Sequence, residues 1–190
     1  MRRMHYRILS ALAGALLLAG CALSPQVISV QPALDTAALP QDGAARTLAL
    51  TVTDVRPNAI VGYRGGVYET ATISMAEDMT ARMHTELARA LAVRGFSVVP
   101  AGTSSVKLQV ELAQLGYKVT QGQVTRTVEV TSIIRANSQS GEVTRTGEYR
   151  DTRTEEFVKP PSDSGNEALI NAVLSAALQR LVADADLFKP

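Results

Sequence analysis

Cysteine is nearly absent: the 190 residues contain one, Cys21, and tryptophan is missing altogether. A lone thiol excludes an internal disulfide and any metal site built on paired cysteines. Histidine is almost as scarce, with only His5 and His84. The ordinary Ser–His–Asp triad and the ordinary zinc site both need histidine. His84 falls inside a predicted helix, where a surface role is the simplest reading. An excess of one charge is missing too, since 19 Lys and Arg stand against 18 Asp and Glu. No basic patch is implied, and nucleic acid is not an expected partner. The apolar run near the start, Ile8 to Leu18, spans about 16 Å as a helix, roughly half the hydrocarbon core of a bilayer. It is too short for a stable transmembrane anchor.

That run has a different meaning. Arg2, Arg3 and Arg7 precede it with no acidic residue, which is the layout of a secretory signal peptide. Leu18-Ala19-Gly20-Cys21 then resembles the lipobox of bacterial lipoproteins, with cleavage between Gly20 and Cys21. The thiol accepts a diacylglyceryl group, and the freed amine accepts a further acyl chain. One chain binds a membrane weakly, and two or more hold it durably. Arg2-Arg3 lacks the surroundings of a twin-arginine signal. Ala22 rather than Asp follows the cysteine, which resembles the pattern of outer-membrane sorting. The expected address is the periplasmic face of the outer membrane of a Gram-negative bacterium. Three of the basic residues and none of the acidic ones belong to the signal, leaving 16 against 18 in the mature chain.

Three segments are expected: a signal peptide (1–20), a lipidated cysteine with a tether (21–45), and a single domain (46–190). The tether reading rests on Pro25, Pro32 and Pro40, although Val27 to Val30 could pair as a short strand. Leu48, Leu50 and Val52 share one face, with Thr47, Thr51 and Thr53 on the other, and predict a half-buried strand over 46–54. Val55-Arg56-Pro57-Asn58 signals a turn, and residues 60–68 read as a glycine-rich loop or hairpin. Ser74-Met-Ala-Glu77 fits a capping box, predicting a helix over about 75–94 that Gly95 ends. Residues 96–99 restart as a strand. Val106, Leu108, Val110 and Leu112 alternate, then the phase slips to Leu115, Tyr117 and Val119, as a bulge near Ala113-Gln114 requires. Turns near 120–123 and 137–141 divide residues 105–158 into a three-stranded meander. Its last strand, 143–157, has the polarity of an edge. Ser164-Gly-Asn-Glu167 offers a second capping box, before a helix over about 167–185 with a broad apolar stripe. The expected fold class is α+β, an antiparallel sheet of about four to five strands with two helices packed on one face.

Read together, several stretches resemble the YajG family of bacterial lipoproteins. They are Cys21 in its lipobox, Val52-Thr-Asp-Val-Arg56, Ala92 to Pro100, Val106 to Leu115, Val119 to Val124, and the tail around Ile170 to Leu174. The resemblance implies an envelope address. It brings no catalytic residues to carry over.

The best candidate binding loop joins Asp54 and Arg56 with Tyr63 and Arg64, beside Gly62, Gly65 and Gly66. Glycines permit close approach, and Tyr and Arg are enriched at binding hot spots. The structural alternative is a turn in which Asp54 pairs with Arg56 or caps amides. The loop lacks the Lys-Ser/Thr ending of a P-loop. The carboxylate pairs Glu77-Asp78, Glu155-Glu156 and Asp184/Asp186 suit helix ends and an edge strand better than glycoside hydrolysis. Met75, Met79 and Met83 read as core. The expectation is a non-enzyme with no cofactor beyond the lipid on Cys21 and no metal. Its partners would be the membrane and another envelope protein, with a homo-oligomer left open. The alternative is a carrier holding a lipid or peptidoglycan fragment between sheet and helices.

Overall fold

Alternating side chains from Val106 onward build the strand on which the rest of the fold is assembled. A computed structural model describes residues 23–65, 70–76, 79–100, 102 and 104–190. In chain order the elements are β1 (Gln26–Ile28), β2 (Thr47–Asp54), β3 (Ile60–Tyr63), β4 (Thr72–Met75), α1 (Met79–Val93), β5 (Ser97–Val98), β6 (Val106–Gln121), β7 (Arg126–Ser140), β8 (Val143–Phe157) and α2 (Asp163–Ala183). A short 3-10 turn at Asp186–Phe188 follows.

The expected meander is present. β6, β7 and β8 pair antiparallel over almost their whole lengths, and β8 has β7 as its one partner in the sheet. The register between β6 and β7 shifts between Leu112 and Gln114, where the alternation slips phase.

The rest of the sheet corrects the expectation of four to five antiparallel strands. Among the described residues the sheet has eight strands and is mixed. β6 carries two different neighbours along its other edge. β2 lies parallel to its first half, from Leu48 opposite Val106 to Asp54 opposite Leu112, and β5 lies parallel to β2. Past the bulge, β3 takes over with Gly62 opposite Tyr117, followed by β4 and β1. The parallel pairs arise because α1 carries the chain back to the end at which β2 began.

Both helices share one apolar core with the sheet. Leu48, Leu108, Val110 and Ile134 from the strands are fully buried, as are Met83, Leu87 and Leu91 of α1 and Ile170, Leu174 and Leu178 of α2. Burial of such side chains contributes about 1.5–3 kcal/mol each. The opposite face, with Lys107, Gln109, Arg135 and Glu148, is polar.

Both expected helix starts shift. Ser74 is not a cap but a strand residue, opposite Ile60 and Val27, and α1 begins at Met79. Glu77 and Asp78 lie outside the described residues. In α2 the cap is Ser162, whose Oγ accepts from the Gly165 amide at 3.1 Å, so the helix starts at Asp163 rather than Glu167. The end of α1 follows expectation. Gly95 has φ +92, its amide donates to Ala92, and the Phe96 amide donates to Leu91, which is the Schellman pattern.

Candidate functional site

Each arginine of the expected binding loop is committed to a carboxylate. Arg56 sits just after β2 where the chain leaves β6, and its Nε and Nη2 donate to Asp54 at 2.9 and 2.8 Å. The Arg56 amide adds a third bond to Asp54 at 3.1 Å. Burial pushes the Asp54 carboxyl up, but the bonds and charge from Arg56 outweigh it and hold the group below its ordinary range. With its side chain 5% exposed, Arg56 locks a turn, the structural alternative weighed above.

Tyr63 and Arg64 lie elsewhere. Asp54 is opposite Leu112 and Gly62 opposite Tyr117, a separation of about 15 Å along β6 at the usual strand rise. The four residues therefore do not converge. Gly62 is required by packing: a Cβ there would fall 1.9 Å from the Tyr117 carbonyl oxygen. Tyr63 is partly exposed. Gly66 lies outside the described residues, and so do Gly20 and Cys21.

Arg64 belongs to a cluster that leaves no direct mark in the sequence. It is buried, its Nη1 donates to the Ser24 carbonyl oxygen at 3.1 Å, and its Nη2 meets Asp163 at 2.6 Å. Beside it runs a buried relay. The Tyr117 hydroxyl donates to Asn166 Oδ1 at 2.7 Å, Asn166 Nδ2 donates to Gln26 Oε1 at 2.9 Å, and Gln26 Nε2 donates to the Asp163 carbonyl at 2.6 Å. Burial pushes the Tyr117 hydroxyl up to about 12, against the opposing pull of Arg64 and Arg126. Sheet, helix α2 and the N-terminal segment are thus fastened at one point.

The N-terminal segment is the second departure from expectation. It was expected as a tether, but from Ser24 onward it is bound to the domain. Ile28, Val30, Pro32 and Leu34 are buried in alternation, the pattern of an extended chain with one face inward. The amides of Gln31, Ala33 and Asp35 donate to Asn171 Oδ1, Ser175 Oγ and Gln179 Oε1, at 2.7, 3.0 and 2.8 Å. Asn171 and Gln179 also return a bond each, to the carbonyls of Ser29 and Asp35. From α1, Glu86 accepts from the Leu34 amide at 2.7 Å and Arg89 donates to the Leu34 carbonyl at 2.8 Å. Side chains of two helices thus replace a neighbouring strand. The sequence signal was present in two places: alternation continued past Val30, and Asn171, Ser175 and Gln179 recur every four residues.

A second buried hub closes the other end. Arg94 is fully buried; it pairs with Asp42 through Nη2 and through Nε at 2.9 Å, and donates to the Val182 carbonyl at 2.7 Å. Its guanidinium lies 4.2 Å over the Phe188 ring. Asp184 accepts from the Tyr149 hydroxyl and from the amides of Asp186 and Leu187, so this carboxylate ties the chain end to β8.

Three surface depressions lie outside the core. One of about 400 Å³ on the polar sheet face is lined by residues such as Gln109, Arg135, Asn137 and Glu148. One of about 480 Å³ runs between Pro25–Val27 and the start of α2. One of about 430 Å³ lies between Gln31–Pro32 and α1. Among the described residues no cluster of His, Cys, Asp and Glu could hold a metal ion, and no helix is long and apolar enough to cross a membrane.

The Lipoprotein_16 family, described as "Uncharacterized lipoprotein", matches residues 32–189, nearly the whole of this fold. The chain belongs to this lipoprotein family. The lipoprotein is 26% identical over 189 residues to YajG of Escherichia coli K12, covering 97% of this chain and 95% of the relative. The same identity and coverage hold for YajG of E. coli O6:H1 strain CFT073, so the resemblance read in the sequence is correct. Among solved structures, protein XCC0632 from Xanthomonas campestris shares the fold at a TM-score of 0.52 with 16% sequence identity. That match covers 83% of this lipoprotein and 93% of the Xanthomonas chain.

Proposed function

We propose that this lipoprotein is anchored through lipid on Cys21 at the periplasmic face of the outer membrane and acts there as a non-catalytic interaction module. It would present the uncovered face of β6, β7 and β8 to another envelope protein. One observation carries this reading: helices cover one face of the sheet, and the other stays open and polar around the depression at Gln109, Arg135, Asn137 and Glu148. Arg135 and Glu148 pair across neighbouring strands at 3.1 Å, both half exposed, so each can exchange this partner for one on another protein at small cost.

The carrier alternative needs a hollow between sheet and helices. Side chains such as Leu108, Val110, Leu174 and Leu178 occupy that interface, which favours the interaction reading. The test is in-cell photo-crosslinking from Asn137 and Thr146, with Thr85 on α1 as the control position. A reproducible protein adduct from the sheet positions alone supports the proposal. Adducts absent from all three, or equal at all three, count against it.

A further inference from the structure

The Ser24 clamp leaves very little chain for a tether. Ser24 is held by Arg64 at 3.1 Å, and three peptide units separate it from Cys21. Fully extended, they span about 11 Å. Where this leash leaves the fold therefore decides which surface can face the lipid.

The strand register fixes that point. Gln26 is opposite Ile73, Ile73 opposite Gly62, and Gly62 opposite Tyr117. β1 runs opposite to β6, so going back from Gln26 to Ser24 leads toward the end where β6 finishes at Gln121. The turn after Gln121 is at this end, and so is the chain beyond Phe157, since Phe157 is opposite Arg126.

The surface at this end is unusual for the molecule. The three most exposed large apolar side chains among the described residues are Val124 at 77%, Val158 at 71% and Val27 at 66%. Val124 lies in the turn after β6 and Val158 just beyond β8, whereas Val27, opposite Ser74 and through it Ile60, sits farther back along the strands. Tyr63 ends β3 at the same end and is partly exposed. A tyrosine among aliphatic side chains suits the headgroup layer, where an amphipathic ring has one apolar side and one wet tip.

We infer that this end of the domain, with Val124, Val158 and Tyr63, rests on the lipid surface and holds the protein in one orientation on the membrane. The inference depends on the reading of Cys21 as the lipidated residue. A short leash keeps these side chains at the interface, so each small apolar contact forms without the entropic cost of bringing the domain to the membrane. The opposite end, at the Gly141-Glu142 turn, then points away from the lipid.

The test uses the full lipidated protein in vesicles of phosphatidylethanolamine and phosphatidylglycerol. Variants Val124→Cys, Val158→Cys and Glu142→Cys are each labelled with an environment-sensitive fluorophore; a thioether at Cys21 does not react. The expected result is several-fold protection from aqueous iodide at 124 and 158, quenching there by lipid-borne quenchers, and the reverse at 142. Equal accessibility at all three positions, with Cys21 unreactive, overturns the orientation and leaves the anchor standing. Equal protection of 124 and 158 in the unlipidated Cys21→Ser form in solution indicates a second copy covering the surface, and overturns the lipid assignment. A freely reactive Cys21 in the unsubstituted membrane-extracted protein removes the anchor and the orientation together.

Discussion

Tyr117 donates its phenolic proton to Asn166 at 2.7 Å, joining the middle of the sheet to the first turn of α2. Tyr117→Phe leaves the Asn166 oxygen buried without this donor, at an expected cost of about 1–2 kcal/mol. The effect on pH dependence has a definite sign. Burial raises the folded-state hydroxyl to about 12, above the ordinary value of about 10. The associated stability is complete below about pH 10 and is lost as pH rises from there through the folded value. Tyr149 is shifted the same way, by burial first and then by Asp184. Urea midpoints between pH 9 and 12 should therefore fall less steeply in Tyr117→Phe than in the unsubstituted protein. An unchanged slope would remove Tyr117 from this linkage.

Arg94 should be the costliest charged residue to remove. Arg94→Ala leaves the carbonyl of Val182 and the carboxylate of Asp42 without their donor, and strips the cation from Phe188. Because the Asp42 left behind is 34% exposed, the cost falls at the lower end for a broken buried pair, about 3 kcal/mol. Arg94→Lys should recover only part of it, because a point charge cannot reproduce the planar fork. Thermal unfolding of the two variants decides the order.

Gly62→Ala should destabilise by about 2–3 kcal/mol or more, as expected when backbone must move to relieve overlap. The added Cβ would meet the Tyr117 carbonyl at 1.9 Å. Gly65→Ala is a separate case. Its added Cβ meets Val119 at 3.4 Å, and the strain comes from φ +90, worth about 1 kcal/mol. Equal effects of the two substitutions in denaturant titrations would contradict this distinction.

Removing the clamp should free the N-terminal segment before it unfolds the domain. In Arg64→Ala, amides of residues 26–28 are expected to exchange hydrogen at least tenfold faster, while those of β7 keep their protection. Uniform acceleration across both regions would show the clamp to be part of the global fold rather than a local latch.

The long elements were legible in the sequence because their apolar side chains repeat with a strand or helix period, broken once by the slip in β6. The bulge at Leu112–Gln114, the edge strand Val143–Phe157 and the closure of α1 at Gly95 each leave a local mark. β1, at three residues, shows only as the short apolar run from Val27; β4, at four, carries too little pattern to separate a strand from a cap, and Ser74 fits the cap pattern. The mixed topology was hidden for another reason. Parallel pairing of β2 with β6 joins residues some sixty positions apart, and nothing local records it. In the candidate loop the local contact was legible and the distant ones were not. Asp54 and Arg56 do pair, but Arg64 answers to Ser24 and Asp163, one of them 99 positions away.

The ladder between the N-terminal segment and α2 works as a ruler. Every second residue of an extended chain advances about 6.6–6.8 Å, and every fourth residue of a helix advances about 6 Å. The two repeats stay in step across Gln31, Ala33 and Asp35 against Asn171, Ser175 and Gln179. A slip of one residue would turn all three amides away at once and bring the apolar face of the segment into water. The segment can therefore shift only by two residues, never by one.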